Sequence, residues 1–341
     1  MTLRLFFVII RMMNEILKLA VCPECQVEII EKTCPQCGRA FNVDENGIVN
    51  LLPKEMDEWI KIEAEFHDQE AKDYDKINCL ETPRNVRLHR QFLQWIYENS
   101  KIKNLSADRQ DQKCYILEIG GGTGRDAGKI AGADSENVHV TLSDLSKEAL
   151  KVGFKNNSGI KNIDYCQIDA ENLSFQDNTF GCIYIVAALH HLQDPQKFLN
   201  EAHRCLKEDG EIIIGVEPNR YGHVLYQKII FRLWNFLKPK KCNCEKPVLK
   251  SIGDEKTEGF SRGELKAMLK KAGFSEIKIQ PKWFLTGFYH TFAQKLRWLD
   301  QPWIDYILMP FDFVFERIPI LNNFCWHWNA RSQKSIKLKS L

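Results

Sequence analysis

Hydrophobic and polar positions change rhythm several times along the chain. From Cys114 onward, residues 115–119, 138–142, 163–168, 182–186 and 211–216 are short apolar runs, each parted from the next by a stretch of helical period. Apolar strands joined by helices form βαβ units, so a parallel sheet with helices on both faces is expected. Residues 260–274 are predicted to form a helix with Ser261 as N-cap, Glu264 completing a capping box and Gly273 at the end. Residues 277–284 then read as a sixth strand and 326–334 as a seventh, closing one. Upstream, residues 54–99 are charged and helical in period. There Leu88, Phe92, Trp95 and Ile96 recur as the stripe of a helix lying on a core. Residues 101–113 are polar and read as a linker.

A different pattern precedes these elements. Residues 22–53, CPECQVEIIEKTCPQCGRAFNVDENGIVNLLP, hold two Cys-Pro-x-Cys turns separated by a strand-like run at 27–31. Each turn directs two thiolates at one point, and the four from Cys22, Cys25, Cys34 and Cys37 satisfy tetrahedral zinc. So short a unit cannot bury a sufficient core, and the metal would supply its folding energy. A redox Cys-x-x-Cys is the alternative; two matched pairs with prolines inside favour metal. The other eight of the 12 cysteines are scattered, mostly in apolar contexts, and read as small buried hydrophobes. Cys242 and Cys244 lack two further ligands nearby, so no second metal site is expected there.

Composition narrows the class. A chain of 341 residues, 44% hydrophobic and 27% charged, suits one large α/β domain with appendages. No apolar run approaches the roughly 20 residues of a membrane span. The nearest, LFFVII at 5–10, is closed by Arg11 and lacks the cleavage site of a signal peptide. A translation start at Met12 or Met13 is the alternative to Met1, and a cytoplasmic location is expected. The net charge of +2 hides an asymmetry: residues 221–341 carry 21 Lys+Arg against 10 Asp+Glu, and 21 of the 37 aromatic residues. That basic, aromatic third suggests an anionic or interfacial partner, or else a solvated face around an aromatic core.

Candidate chemistry centres on YILEIGGGTGRDAG, residues 115–128. Gly120, Gly122 and Gly124 bring a backbone close to a ligand. Gly122 to Ala127 also fits the Ala variant of the dinucleotide fingerprint, so the glycines leave the cofactor open. Asp144 after the second strand would bind ribose hydroxyls in either reading. Two acids part the readings. Glu118 lies inside the first strand, a costly place for a carboxylate without partners, and Asp169-Ala170 follows the third strand. With LEIGGGTG, SDLSKEAL, IDAENLSFQDNTF, ALHHLQDPQKFLNEAHRCLKEDGEIII and EPN in this order, the chain resembles the class I S-adenosylmethionine-dependent methyltransferases. FHDQEAKDYD is similar to the segment that precedes their core.

The resemblance implies roles. Gly120, Gly122 and Gly124 would admit the methionine part with Glu118 as orienting acid. Asp144, with Leu145 beside it, would take the ribose, and Asp169 and Ala170 the adenine. Ala187 and His190 would line the floor near the sulfonium, and Tyr74 would close over the cofactor. His190, His191, Glu217, Tyr221 and His223, at the strand ends, are candidate acid–base groups. The expected layout is an N-terminal segment with the zinc ribbon (1–55), a helical lid and linker (56–105), a Rossmann-like cofactor core within a seven-stranded sheet (106–220), and a C-terminal part with acceptor-side insertions (221–341). Those insertions, a basic apolar helix at 226–237 with lysines to 241 and an aromatic segment at 296–324, would form an apolar acceptor pocket or a membrane-surface face; the alternative is a cover over the sheet or a dimer interface.

The expected activity is methyl transfer from S-adenosylmethionine to a small or lipid- or sugar-linked acceptor, at oxygen, with structural zinc in the ribbon. The ribbon also resembles that of rRNA guanine-N1 methyltransferases, so an RNA base is the rival acceptor. The basic excess lies far from the ribbon in sequence, which weighs against RNA. A non-catalytic zinc-ribbon binding protein is the remaining alternative.

Overall fold

The computed structural model of the chain describes residues 15–78, 80–100, 113–225, 251–256, 258–295, 298 and 300–335. The N-terminal apolar run, nearly all of the polar linker, the basic helix at 226–237 with its following lysines, and Cys242 and Cys244 lie outside them.

Eight strands form one sheet: β1 (Ile48–Asn50), β2 (Cys114–Ile119), β3 (Val138–Asp144), β4 (Ile163–Gln167), β5 (Phe180–Val186), β6 (Leu206–Pro218), β7 (Phe274–Lys282) and β8 (His327–Lys334), in the order β1-β4-β3-β2-β5-β6-β8-β7. Strands β1 to β6 pair in parallel, while β8 lies antiparallel to both β6 and β7. Strand order reverses at β2, between β3 and β5. That reversal opens the crevice at the carboxyl ends where ligands sit in such sheets. Both faces are covered, so the central strands are buried almost end to end.

The sheet has eight strands where seven were expected. The extra strand, Ile48–Asn50, comes from the end of the cysteine unit and pairs with Tyr165–Gln167 of β4 at the sheet edge. Residues 27–31, expected to be strand-like, make only isolated bridges, Val21 to Glu28 and Ile30 to Thr33. The cysteine unit is not a separate bead. Ile16, Cys22, Phe41 and Leu51 are buried in one cluster with Cys166, Leu173 and Phe175 of the main domain. The Val21 N–H donates to the Ser174 carbonyl at 2.9 Å and the Leu51 N–H to the Gln167 carbonyl at 2.9 Å.

The expected capping box at Ser261 and Glu264 is present on helix Arg262–Lys271. Leu88, Phe92 and Ile96 are buried on helix Pro83–Asn99, as their spacing predicts. Arg84 near the start of that helix is fully buried: its Nε donates to Asp305 Oδ1 at 2.8 Å and its Nη2 to the Thr286 carbonyl at 3.1 Å. This guanidinium ties helices Leu285–Lys295 and Pro302–Phe315 to the rest of the molecule. Arg84→Ala leaves the buried Asp305 carboxylate without its main partner and is expected to destabilise the protein by about 3–5 kcal/mol. Urea unfolding followed by tryptophan fluorescence checks this, and a loss under 1 kcal/mol would refute it.

Candidate active site

The glycine turn after β2 is the base of the site. Gly120 and Gly122 have φ of +62° and +50°, values that side-chain-bearing residues rarely adopt. A Cβ on Gly120 would also lie 2.9 Å from the Cβ of Ala188, so this position keeps space open above the turn. Asp144, at the end of β3, accepts the N–H of Gly122 and the N–H of Ser146, each at 2.8 Å. Burial pushes the Asp144 carboxyl up from the usual aspartate value. Asp169 after β4 accepts the Glu171 N–H at 2.9 Å, and burial raises it likewise. Each carboxylate keeps lone pairs free for a ligand. Glu118 accepts the Ala127 N–H at 3.1 Å; burial first, then the Asp126 charge, raises it well above the ordinary range.

Two cavities meet here. The first is lined by Gly120, Gly122, Asp144, Leu145, Asp169, Ala170, Ala187 and Tyr74, all expected cofactor residues, and by His191. Helix Glu58–Glu70 roofs it through Trp59, Glu63 and His67. This lid is latched: the Ser146 hydroxyl donates to Asp68 at 2.5 Å, and the Trp59 indole N–H to the His191 carbonyl at 3.1 Å. Glu63 is buried between His191 and His67, at 3.4 and 3.5 Å, and accepts the Gly253 N–H at 2.9 Å. Burial opposes its ionisation, but the two imidazoles and that N–H win and hold its carboxyl below the usual range. Their ligand atoms lie within 4.8 Å of one another, close enough to share a divalent cation.

The second cavity, of about 410 Å³, lies beyond Tyr74, Gly120 and Ala187, which line both. Phe92, Trp283 and Trp326 contribute aromatic walls, with Glu118, His89, His290 and His327 among the polar lining groups. Ala187, Val216 and Trp283 on its wall have φ of +51°, +55° and +60°. Val216 sits at the irregularity where β6 shifts register against β8. Strained backbone of this kind gathers at functional sites, and a bulge re-aims a side chain.

The candidate acid–base residues fall in different places. Glu217 is fully buried and accepts the N–H groups of Ala188, Leu189 and His190 at 3.0, 2.8 and 3.3 Å, with the His190 ring Nδ1 at 2.9 Å. That arrangement fixes the turn after β5 on which Ala187 lies. His190 and Glu217 therefore back the cavities, and neither is among the lining residues. His191 is in the first cavity. Tyr221, half exposed, and His223, on helix Arg220–Val224, line neither. Gly124 caps helix Arg125–Ala133 beneath the turn.

Three histidines of the second cavity carry no local signal in the sequence. His89 contacts Asp126 through Nε2 and Lys129 Nζ through Nδ1. His290 takes a hydrogen bond on Nδ1 from Arg84 at 2.8 Å; burial first, then the Arg84 charge, pushes it down to about 3. His327 is held well below the usual histidine value by burial and then by His290, and its Nδ1 has no partner among the described residues. Both rings are uncharged at neutral pH.

In the cysteine unit the four sulfurs lie within 4.8 Å of one another. Tetrahedral zinc with sulfurs at about 2.3 Å sets neighbouring sulfurs about 3.8 Å apart; the Cys22 and Cys37 sulfurs are 3.8 Å apart. The donor set fits zinc.

A family profile described as a methyltransferase domain matches residues 117–214. Among curated proteins, the ubiquinone/menaquinone biosynthesis C-methyltransferase of Cronobacter sakazakii is 30% identical over 224 residues, 62% of this chain and 82% of the relative. The protein of that name from Haemophilus ducreyi is 29% identical over 218 residues, 62% of this chain and 79% of the relative. Among solved structures, a Haemonchus contortus phosphoethanolamine N-methyltransferase with S-adenosylhomocysteine and phosphomonomethylethanolamine matches with a TM-score of 0.50 at 16% identity, covering 83% of this chain and 61% of that one. This last likeness is one of fold.

Proposed function

Because the chain belongs to the class I S-adenosylmethionine-dependent methyltransferases, we propose that its acceptor is a lipophilic molecule bearing a hydroxylated ring, methylated at carbon. The observation that carries this reading is the second cavity, aromatic-walled and joined to the first at Ala187. The curated relatives are named for carbon methylation in quinone biosynthesis, which moves the reading away from the oxygen acceptor expected above.

Bound S-adenosylmethionine supplies an electrophilic methyl group on a sulfonium that is already a good leaving group. The chain holds it: the Asp144 carboxylate takes the ribose hydroxyls, Asp169 the adenine amino group, and Leu145 and Ala170 the faces of the base. The turn at Gly120 and Gly122 admits the methionine part, and Glu118 orients it. Tyr74 and the Glu58–Glu70 helix exclude water. Alignment of acceptor and methyl is the main contribution such a site makes. The hydroxylated ring would bring an electron-rich carbon to the methyl; as the new carbon–carbon bond forms the sulfonium S–C bond breaks, and the displaced ring proton is released to solvent as aromaticity is restored. Zinc on Cys22, Cys25, Cys34 and Cys37 supplies stability and stays outside the chemistry.

Purified protein incubated with S-adenosylmethionine and a demethylated prenylhydroquinone in detergent should give a C-methylated ring, distinguished from an O-methyl ether by NMR of the product. Methyl transfer to RNA and to none of the ring acceptors would refute the reading.

A further inference from the structure

Helix Pro302–Phe315 is built inside out. Its carboxylates point inward: Asp305 is fully buried against Arg84, and Asp312 is buried with Oδ2 accepting the Thr286 N–H at 3.1 Å. Its large apolar side chains point outward. Trp303, Ile307 and Phe311 recur at i, i+4 and i+8 and are 58%, 53% and 52% exposed, beside Tyr306, Phe313 and Val314. A helix on the surface of a globular protein buries its apolar stripe and turns its charges to water. Contiguous exposed apolar surface on this scale marks an interaction face.

The chemistry of that face favours lipid. Between residues 301 and 324 the one exposed charged residue is Arg317, whose guanidinium lies over the Phe313 ring, and the acids there are withdrawn from the surface. Tryptophan, tyrosine and arginine around an apolar strip are the composition that settles at the headgroup level of a bilayer. An anionic surface also complements the +11 formal charge of residues 221–341. With 14 residues this helix is too short to cross a bilayer, so its own contact would lie at the surface.

The face also borders the site. A groove lined by Gln91, Trp95, Met309 and Phe313, with Lys282 and Glu316 at its side, shares Phe92 and Trp283 with the lining of the second cavity. A second protein seated on the helix would cover this groove, whereas a bilayer would feed it.

We propose that helix Pro302–Phe315 seats in the headgroup layer of an anionic bilayer, and that a lipid-linked acceptor enters the second cavity from that bilayer along the groove at Met309 and Phe313. The route rests on the lipophilic acceptor proposed above; the membrane seat stands on the helix itself.

Flotation with phosphatidylcholine–phosphatidylglycerol vesicles tests it. The intact chain should float with these vesicles and far less with phosphatidylcholine alone. The triple variant Trp303→Ser/Ile307→Ser/Phe311→Ser alters exposed positions only, and should lose flotation at least about 10-fold. It should keep its cofactor affinity and its turnover of a short-chain, water-soluble hydroquinone, and lose turnover of a prenylated one held in vesicles. Equal flotation of variant and parent overturns the proposal. So does light scattering that shows a stable dimer dissociated by the variant, which would assign the face to a second copy. Flotation with no methylation of any lipophilic ring, even in detergent, overturns the route and the acceptor reading while leaving the membrane seat in place.

Discussion

Asp144→Ala is expected to weaken S-adenosylmethionine binding by about 100-fold or more. A hydrogen bond to a charged group contributes about 1.5–3 kcal/mol, and the carboxylate is proposed to accept two from the ribose. Each 1.4 kcal/mol is a factor of about ten in affinity, so two at the lower bound already give that loss. The same oxygens hold the Gly122 and Ser146 N–H groups at 2.8 Å, so the glycine turn is expected to relax as well. Asp144→Asn is the informative companion. The amide keeps the shape but brings one NH2 group where two donors already converge, and it should recover only part of the affinity. Isothermal titration calorimetry measures both, with thermal melting as the control for folding. Unchanged affinity in the alanine variant would sink the assignment of Asp144 to the ribose.

The second large effect is expected at the cysteine unit. Cys34→Ser replaces a thiolate by a hydroxyl that binds zinc poorly, and metal analysis should fall from one zinc per chain towards none. Apparent zinc binding contributes about 10–16 kcal/mol to the folding of isolated zinc-finger peptides. Here the unit also leans on the domain through Cys22, Phe41, Leu51 and Phe175, so some order should survive metal loss. Residues 20–52 should become open to protease, β1 should leave the sheet edge, and melting should begin earlier, at Cys166 and Phe175, which the loosened unit would uncover. Chelation of the unaltered protein should reproduce the pattern. A Cys34→Ser protein with full zinc would refute the ligand set.

Why one part of the site was legible and another was not has a physical basis. The floor of the first cavity is made of residues at or just past the strand ends: Gly120 and Gly122 after β2, Asp144 at the end of β3, Asp169 after β4, Ala187 after β5. In a doubly wound sheet those ends share one edge, so the order of local patterns places the residues together. Asp144 and Gly122 meet although 22 positions apart, because both lie at the carboxyl ends of paired strands. The second cavity has no such rule. His89 comes from a helix before the core, Val216 from a bulge in β6, Trp283 and His290 from beyond β7, and His327 from β8. No spacing couples them, and a histidine's neighbours in sequence do not reveal the burial that holds His327 uncharged.

Glu217 illustrates the same divide. A carboxylate after the fifth predicted strand invites the role of a base; the fold turns it inward onto three backbone N–H groups instead. The additional strand, β1, was equally out of reach, since three residues at Ile48–Asn50 have no period to read, and only the open edge of β4 makes them a strand. The inverted polarity of helix Pro302–Phe315 also needed the tertiary structure. Its sequence states that it is aromatic and holds two aspartates. Which side meets water depends on Arg84, 221 positions from Asp305. By itself, then, the sequence determined the alternation of strands and helices, the four-cysteine set and the acids at the strand ends, because each is carried by local spacing. Tertiary structure decided the second cavity, the place of Glu217 and the outward face of the aromatic helix, because each depends on which distant side chains burial brings into contact.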